Sequence, residues 1–377
     1  MKNKVSKIIL TVLFTGFIFA FALLYIVLPK QEKSENEKRV LSKFPEVTFE
    51  NLASGQLTED FETFLADHVP FRDFFVGLNS YVNVLTGRNG QNDVYKSADG
   101  YLITGPVKFD EERTAANMKY LADFAEKTEI PATVMIVPEA GFVLEDKLPK
   151  NHNKYYDAEI LKTAEANSGL MKYIDLSEVF SSAKNDTQIY YRTDHHVTSD
   201  GAMLMYKAFS EANGKTPSEF VIKERKDGFY GTTYSKSGLW LTKPDVIDVY
   251  KEKEESSYTV TIQEGEEENT YDSLYFPSHY ENMDKYPVFL DGNHALVTIK
   301  NNDNHNGRKL LIIKDSYAHC LTTFLAADYE EITMVDMRYY RNSVSELAKE
   351  NGCNELLVVY GAENLAASTD IVWLSMF

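Results

Sequence analysis

Two cysteines in 377 residues, Cys320 and Cys353, are too few for a disulfide scaffold. The sequence leaves open whether they pair or stay as small apolar residues. Basic residues are outnumbered, with 39 Lys and Arg against 57 Asp and Glu for a net charge of −18. A surface of that sign repels phosphate backbones, so nucleic acid is excluded as a partner class. His152, His279, His294, His305 and His319 lack metal-ligand spacing, and the glutamates of 264–269 read as a solvated loop. No metal or other cofactor is therefore expected. No pair of carboxylates stands out as flanking a sugar linkage, which counts against a glycan-cleaving hydrolase.

One long apolar run is present. Ile8 to Leu28 is 21 residues without a charge, preceded by Lys2, Lys4 and Lys7. At about 1.5 Å per residue it spans roughly 30 Å, the thickness of a bilayer's hydrocarbon core. The lysines place the amino terminus inside and the remainder outside. The run is long for a signal peptide, and Phe19 to Lys30 offers no small-x-small cleavage site. The expectation is a single-pass anchor at 8–28, with a cytoplasmic stub at 1–7. A tether and helical segment follow at 29–90: polar residues from Gln31 to Arg39, then Phe61, Phe64, Leu65 and Val69 at helical spacing within Leu57 to Phe75. Pro70 interrupts that helix, and Asp67, His68, Arg72 and Asp73 read as a helix terminus held by a buried ion pair.

Residues 91–377 alternate strand and helix. Helical patterns at Arg113–Lys127, Ala158–Asn167 and Gly201–Ala212 alternate with apolar runs at Pro131–Pro138 and Met171–Leu176. The last third adds strands at Leu310–Ile313, Ile332–Val335 and Leu356–Val359, joined by helices at Tyr317–Ala327 and Ser343–Glu350. This is an α/β layer pattern with a mostly parallel sheet. A β-rich insertion at about 220–306 breaks it, with strands at Val246–Tyr250, Tyr258–Gln263, Val288–Leu290 and Ala295–Lys300. Its tyrosines, among them Tyr230, Tyr234, Tyr271, Tyr275, Tyr280 and Tyr286, suit either an ordinary β core or stacking on sugar rings.

An open α/β sheet places its ligands beyond the carboxyl ends of its strands. Asp315 and Ser316, Asp336 and Arg338, and Gly361 and Asn364 fall there. Ser316, on a strand-to-helix turn, is placed to act as a nucleophile, with helix capping as its structural alternative. The stretch Tyr190-Tyr191-Arg192-Thr193-Asp194-His195-His196-Val197 supplies an imidazole and a carboxylate at D-x-H spacing. On an extended segment Asp194 and His196 point to one side and His195 to the other, so His196 is the expected base and His195 the lesser candidate. Asp194 is equally well placed as a helix cap. The Asn364 amide and the Ser316 N–H are the candidate oxyanion donors, and Asp315, Tyr317 and Arg192 are candidate pocket-lining residues.

The layout resembles a rearranged SGNH hydrolase. Asp315-Ser316 follows one strand and Gly361-Ala362-Glu363-Asn364 the strand two later, while the Asp/His motif that closes the parent chain comes first. That order is similar to the alginate O-acetyltransferase group, and closer still to the Firmicutes family named for a DHHW motif. Glu37 to Pro45, Asp67 to Asp73, Tyr230-Gly231-Thr232-Thr233-Tyr234-Ser235 and Lys314 to Tyr317 extend the likeness over nearly the whole chain past the anchor. The resemblance implies a three-layer, circularly permuted-like SGNH fold. It also implies a membrane-anchored extracytoplasmic O-acetyltransferase or acetylesterase acting on cell-surface polysaccharide, with the acyl group supplied by a membrane-bound O-acyltransferase. Val197 stands where the family name has tryptophan, and Asp336-Met337-Arg338 lacks the family's second-block glycine. Val197 and the tyrosine-rich insertion leave a second reading, a catalytically weak glycan-binding or scaffolding subunit of an envelope assembly.

Overall fold

The computed structural model describes residues 2–34, 36, 39–265 and 267–376. Two compact units emerge, Met1–Asn92 with Ser235–Trp240, and Asp93–Tyr234 with Leu241–Phe377.

In the first unit, helix α1 (Lys2–Val27) contains a 24-residue stretch, Lys4–Val27, long and apolar enough to cross a membrane. Of the expected polar tether, residues 35, 37 and 38 lie outside the described residues; Lys33–Ser34 pair antiparallel with Arg39–Val40. Helix α2 (Gln56–Asp67) ends before Pro70, and α3 (Arg72–Leu85) begins after it. The ion pair at the α2 terminus joins Asp67 to Arg39, and Ser42 N–H donates to the same carboxylate at 2.9 Å. Hydrogen bonding from Arg39 holds that carboxyl well below the usual carboxylate range.

The second unit is built on one eight-stranded sheet. Its strands are β1 (Ala132–Val137), β2 (Lys172–Ile174), β3 (Tyr258–Glu264), β4 (Glu267–Tyr271), β5 (Leu296–Asn301), β6 (Lys309–Lys314), β7 (Glu331–Val335) and β8 (Glu355–Gly361), in the order β4-β3-β5-β7-β6-β8-β1-β2. From β7 to β2 all neighbours are parallel, and β4, β3 and β5 add an antiparallel edge beside β7. Successive strand side chains point to opposite faces, and each face has its own core. Met135, Val137, Leu310, Ile312, Leu357 and Val359 pack with helix α6 (Ser199–Ala212) and helix α7 (Ala318–Leu325). Val134, Ile136, Leu311, Ile313, Leu356 and Val358 pack with helices α4 (Glu111–Thr128) and α5 (Asp157–Ala166). The result is three layers, helices on both faces of a sheet that is apolar throughout its parallel part. Truncating one such fully buried side chain, Ile312→Ala for instance, costs about 2–5 kcal/mol.

The region 220–306 differs from its sequence reading. Phe220–Phe229 and Asp245–Glu252 form an antiparallel ribbon, whereas β3, β4 and β5 extend the main sheet. The expected glutamate loop supplies β4, every described residue of which is exposed; an edge strand needs only backbone pairing, and charge there blocks further strand addition. The expected strand at Val288–Leu290 is instead a 3₁₀ turn, Tyr286–Val288, followed by left-handed Leu290 and Asp291. Pro287 has no N–H to give to a ladder. Both cysteines are free, Cys320 buried and Cys353 half-buried.

Candidate active site

Strand β6 ends at Lys314, and Asp315-Ser316-Tyr317 make the turn into α7. Asp315 is the hub of this turn. Its Oδ1 accepts from Tyr317 N–H at 2.9 Å, and its Oδ2 accepts at 2.7 Å from both Gly361 N–H and the Asn364 amide. Burial pushes the Asp315 carboxyl upward against these three donors. The hub ties the end of β6 to the end of β8, its parallel neighbour.

The Asp/His stretch is not extended. Residues 191–196 form a closed turn: Tyr190 bridges Val197, Tyr191 N–H donates to His196 O at 3.2 Å, and Thr198 N–H donates to Ile189 O at 2.7 Å. Within the turn Asp194 Oδ1 accepts from His196 N–H at 3.0 Å and contacts His196 Nδ1. The α6 cap is Thr198, whose Oγ accepts from Gly201 N–H, so Asp194 is not the cap. Two buried anchors hold the turn. Asp245 Oδ2 accepts from both Thr193 N–H and Thr193 Oγ at 2.7 Å, and its Oδ1 accepts from Arg192 N–H at 3.0 Å. Thr232 N–H donates to Asp194 Oδ2 at 2.6 Å, while Gly231 sits so close that a Cβ there would lie 2.2 Å from Asp194 Cβ.

The turn and the β6 end meet although 120 residues separate them in sequence. His196 Nε2 lies 2.8 Å from Ser316 Oγ, giving the chain Ser316–His196–Asp194 with all three side chains buried. The His196 ring stacks on Tyr286, 3.8 Å between centroids and 8° from parallel, and the Tyr286 hydroxyl donates to Ser316 O at 3.1 Å. Chemically this is a hydroxyl positioned to lose its proton to an imidazole whose other nitrogen faces a carboxylate.

The other expected residues fall in different places. His195 packs against His196, 3.9 Å between ring centroids, rather than pointing away, because the turn brings both rings to one side. Its carbonyl accepts from the Tyr317 hydroxyl at 2.9 Å, so Tyr317 buttresses the histidine turn. Asn364 Nδ2 is bound to Asp315. Arg192 does not join the group: its Nε donates to Asp99 O at 3.1 Å and its guanidinium lies over Tyr101. Asp336 is buried in an ion pair with Lys314 and Arg338. Val197 is wholly buried. Side-chain ligand atoms of Asp194, His195 and His196 lie within 4.8 Å of one another, close enough to share a cation. Both His196 nitrogens already face partners, so a cation there would have to break the contact to Asp194 or to Ser316.

Sequence reasoning missed Asp245 and gave Tyr286 no place at the histidine; neither lies in a recognisable motif. It also missed three carboxyls beyond the ends of β1 and β8. Glu139 and Glu363 each stand two residues past the paired Val137 and Gly361, and Asp157 Oδ1 accepts from Glu139 N–H at 2.6 Å. Burial and mutual repulsion push Glu139 well up, and burial pushes Asp157 up to about 6.

A family model described as DHHW protein matches residues 127–335. No curated protein matches the chain. Among solved structures, a DHHW family protein from Eubacterium siraeum is 24% identical with a TM-score of 0.62, the match covering 74% of this chain and 93% of that one. Bacillus cereus PatB1, solved with a sulfonyl adduct, is 20% identical with a TM-score of 0.61, covering 75% of this chain and 98% of its own. The O-acetyltransferase domain of Pseudomonas putida AlgJ is 15% identical with a TM-score of 0.46, covering 76% and 95%. At the identities of the first two the likeness is one of fold. The family match spans more than half of the chain, and the chain belongs to the DHHW protein family.

Proposed function

We propose that this is an extracytoplasmic O-acetyltransferase or acetylesterase, anchored by α1 with its amino terminus inside, that acts on a cell-surface polysaccharide through Ser316, His196 and Asp194 on a rearranged SGNH sheet. One observation carries the reading: His196 Nε2 stands 2.8 Å from Ser316 Oγ while its Nδ1 contacts Asp194. His196 takes the Ser316 proton as Oγ attacks the acetyl carbonyl, and the developing oxyanion meets Ser316 N–H at the start of α7 and the second N–H of the Asn364 amide, whose first is held by Asp315. Each such donor is worth on the order of 3 kcal/mol in the transition state. His196 then gives its proton to the departing group, leaving acetyl-Ser316. An acceptor hydroxyl, or water, next loses its proton to His196 and attacks the acetyl carbon; the Oγ–carbon bond then breaks and His196 returns the proton to Ser316 Oγ. Asp194 fixes the imidazole and balances its charge. Tyr286, stacked on the ring, holds the plane of the imidazole between Ser316 and Asp194. No metal or cofactor is required by these steps. The acetyl and glycan parts of the proposal rest on family resemblance, since a triad alone specifies acyl transfer. A membrane-bound O-acyltransferase is the proposed source of the acyl group.

The test uses the full chain in detergent. Wild type is expected to hydrolyse a chromogenic acetyl ester and to gain one sulfonyl group from a sulfonyl fluoride, a probe chosen because PatB1 carries such an adduct. Ser316→Ala should abolish both, and His196→Ala and Asp194→Ala should remove most of the turnover. A wild-type protein that neither turns over ester nor takes the label sinks the enzyme reading and favours the glycan-binding scaffold.

A further inference from the structure

Helix α3 is amphipathic the wrong way round for a protein in water. Its buried positions are small, Gly77 and Ser80, and Gly77 is so close to Trp240 that a Cβ would lie 1.9 Å from the indole nitrogen. Its large apolar side chains face outward: Phe71 at its cap, then Phe74, Phe75, Leu78, Val82 and Leu85, between 40% and 85% exposed. At 3.6 residues per turn these six fall within an arc of about 100° on the side away from Gly77 and Ser80. A continuous apolar stripe of this kind marks an interaction surface. Phe71 is held at φ +58°, a conformation bulky residues avoid, and its ring is left exposed.

The stripe also has a depth. The Phe75 ring lies 5.9 Å from that of Phe21, which sits six residues before the end of α1 at Val27. At 1.5 Å per residue that is about 9 Å below the outer end of the span. A helix at that depth is surrounded by headgroups and acyl chains, where an outward apolar face is the stable arrangement. We propose that the outward face of α3 lies in the headgroup–acyl boundary of the bilayer that α1 crosses. The chain is then held by an interfacial helix as well as by its span. The occupant is lipid, because the stripe continues the apolar surface of α1. This inference rests on the reading of α1 as a membrane span.

The test places a nitroxide label at one site at a time, through Leu78→Cys, Val82→Cys, Leu13→Cys or Glu211→Cys in a Cys353→Ser background. The full chain is reconstituted in phosphatidylcholine–phosphatidylglycerol vesicles, and label collision with oxygen and with a water-soluble nickel chelate is measured. Labels at 78 and 82 should show loss of nickel collision and retained oxygen collision, like position 13 in α1 and unlike the water-facing control at 211. Positions 78 and 82 matching 211, while 13 stays in the bilayer, overturns the inference alone. Shielding of 78 and 82 from both reagents also overturns it, since a protein or a second copy then covers the stripe. Nickel collision at position 13 sinks the span reading itself, and the inference falls with it.

Discussion

Gly231→Ala tests the site without touching a reacting atom. An alanine Cβ at 231 would stand 2.2 Å from Asp194 Cβ, 2.3 Å from Oδ2 and 2.6 Å from Cγ. Carbon atoms in contact sit about 3.5–4 Å apart, so the two segments must separate by more than 1 Å. Asp194 cannot yield freely, because Thr232 N–H and His196 N–H both hold its carboxylate. The displacement therefore passes to the His196 ring, whose Nε2 must stay within hydrogen-bond reach of Ser316 Oγ. A misplacement of about 1 Å at a catalytic group costs on the order of 100-fold in rate. Overpacking in a well-packed site costs about 1–3 kcal/mol, which lowers the melting temperature by a few degrees without unfolding the protein. The assay is steady-state hydrolysis of a chromogenic acetyl ester by the full chain, beside thermal melts of the same preparations. The expected result is a kcat lowered roughly 100-fold with a melt still cooperative. A variant with wild-type kcat and wild-type melting would show that the 231 backbone does not brace Asp194, and the account of how the histidine is held would fail.

Tyr286→Leu removes the ring stacked on His196 and should lower kcat/KM of ester hydrolysis about three- to tenfold, whereas Tyr286→Phe keeps the stack and should stay within about threefold of wild type; equal losses in both would point to the hydroxyl. Asp157 carries the pH prediction. Its folded value of about 6 lies above its unfolded 3.8, so its contribution to stability is fully present below pH 3.8 and is lost as pH rises through 6. The loss is about 2–3 kcal/mol. Asp157→Asn cannot ionise, so its melting temperature should exceed that of wild type at pH 8 and change less between pH 4 and 7. A variant that melts lower than wild type at pH 8 would refute the sign.

The parallel core was legible because period and apolarity coincide there. The runs at 132–137, 309–314, 331–335 and 355–361 are buried on both faces and bounded by polar residues, a signal a single sequence carries in full. The three members Asp194, His196 and Ser316 were legible as types at spacings, yet the geometry joining them was not. A two-residue alternation suggested a strand, and the closed turn from Tyr190 to Val197 achieves the same pairing by another route. That turn depends on Asp245, 52 residues on from Thr193, and on the backbone at 231–232. Contacts of that range leave no local periodicity to read. The same holds for Asn364, whose amide faces Asp315 across the sheet end. β4 escaped notice because an edge strand made of exposed polar residues has neither apolar alternation nor burial to announce it.

The place of β8 has a consequence for how the molecule comes together. It is the last strand in the chain, yet it lies between β6 and β1 in the sheet. Before residues 355–361 arrive, the β7–β6 pair and the β1–β2 pair share no hydrogen-bonded neighbour and leave open edges facing one another. Folding must hold the two halves apart in register and close on the final strand, a late and high-contact-order step. Gly361 and Asn364 follow that strand and supply two of the three donors on Asp315. The serine turn is thus completed by the end of folding rather than its beginning, and a chain that has not finished folding carries Ser316 without the support that aims it.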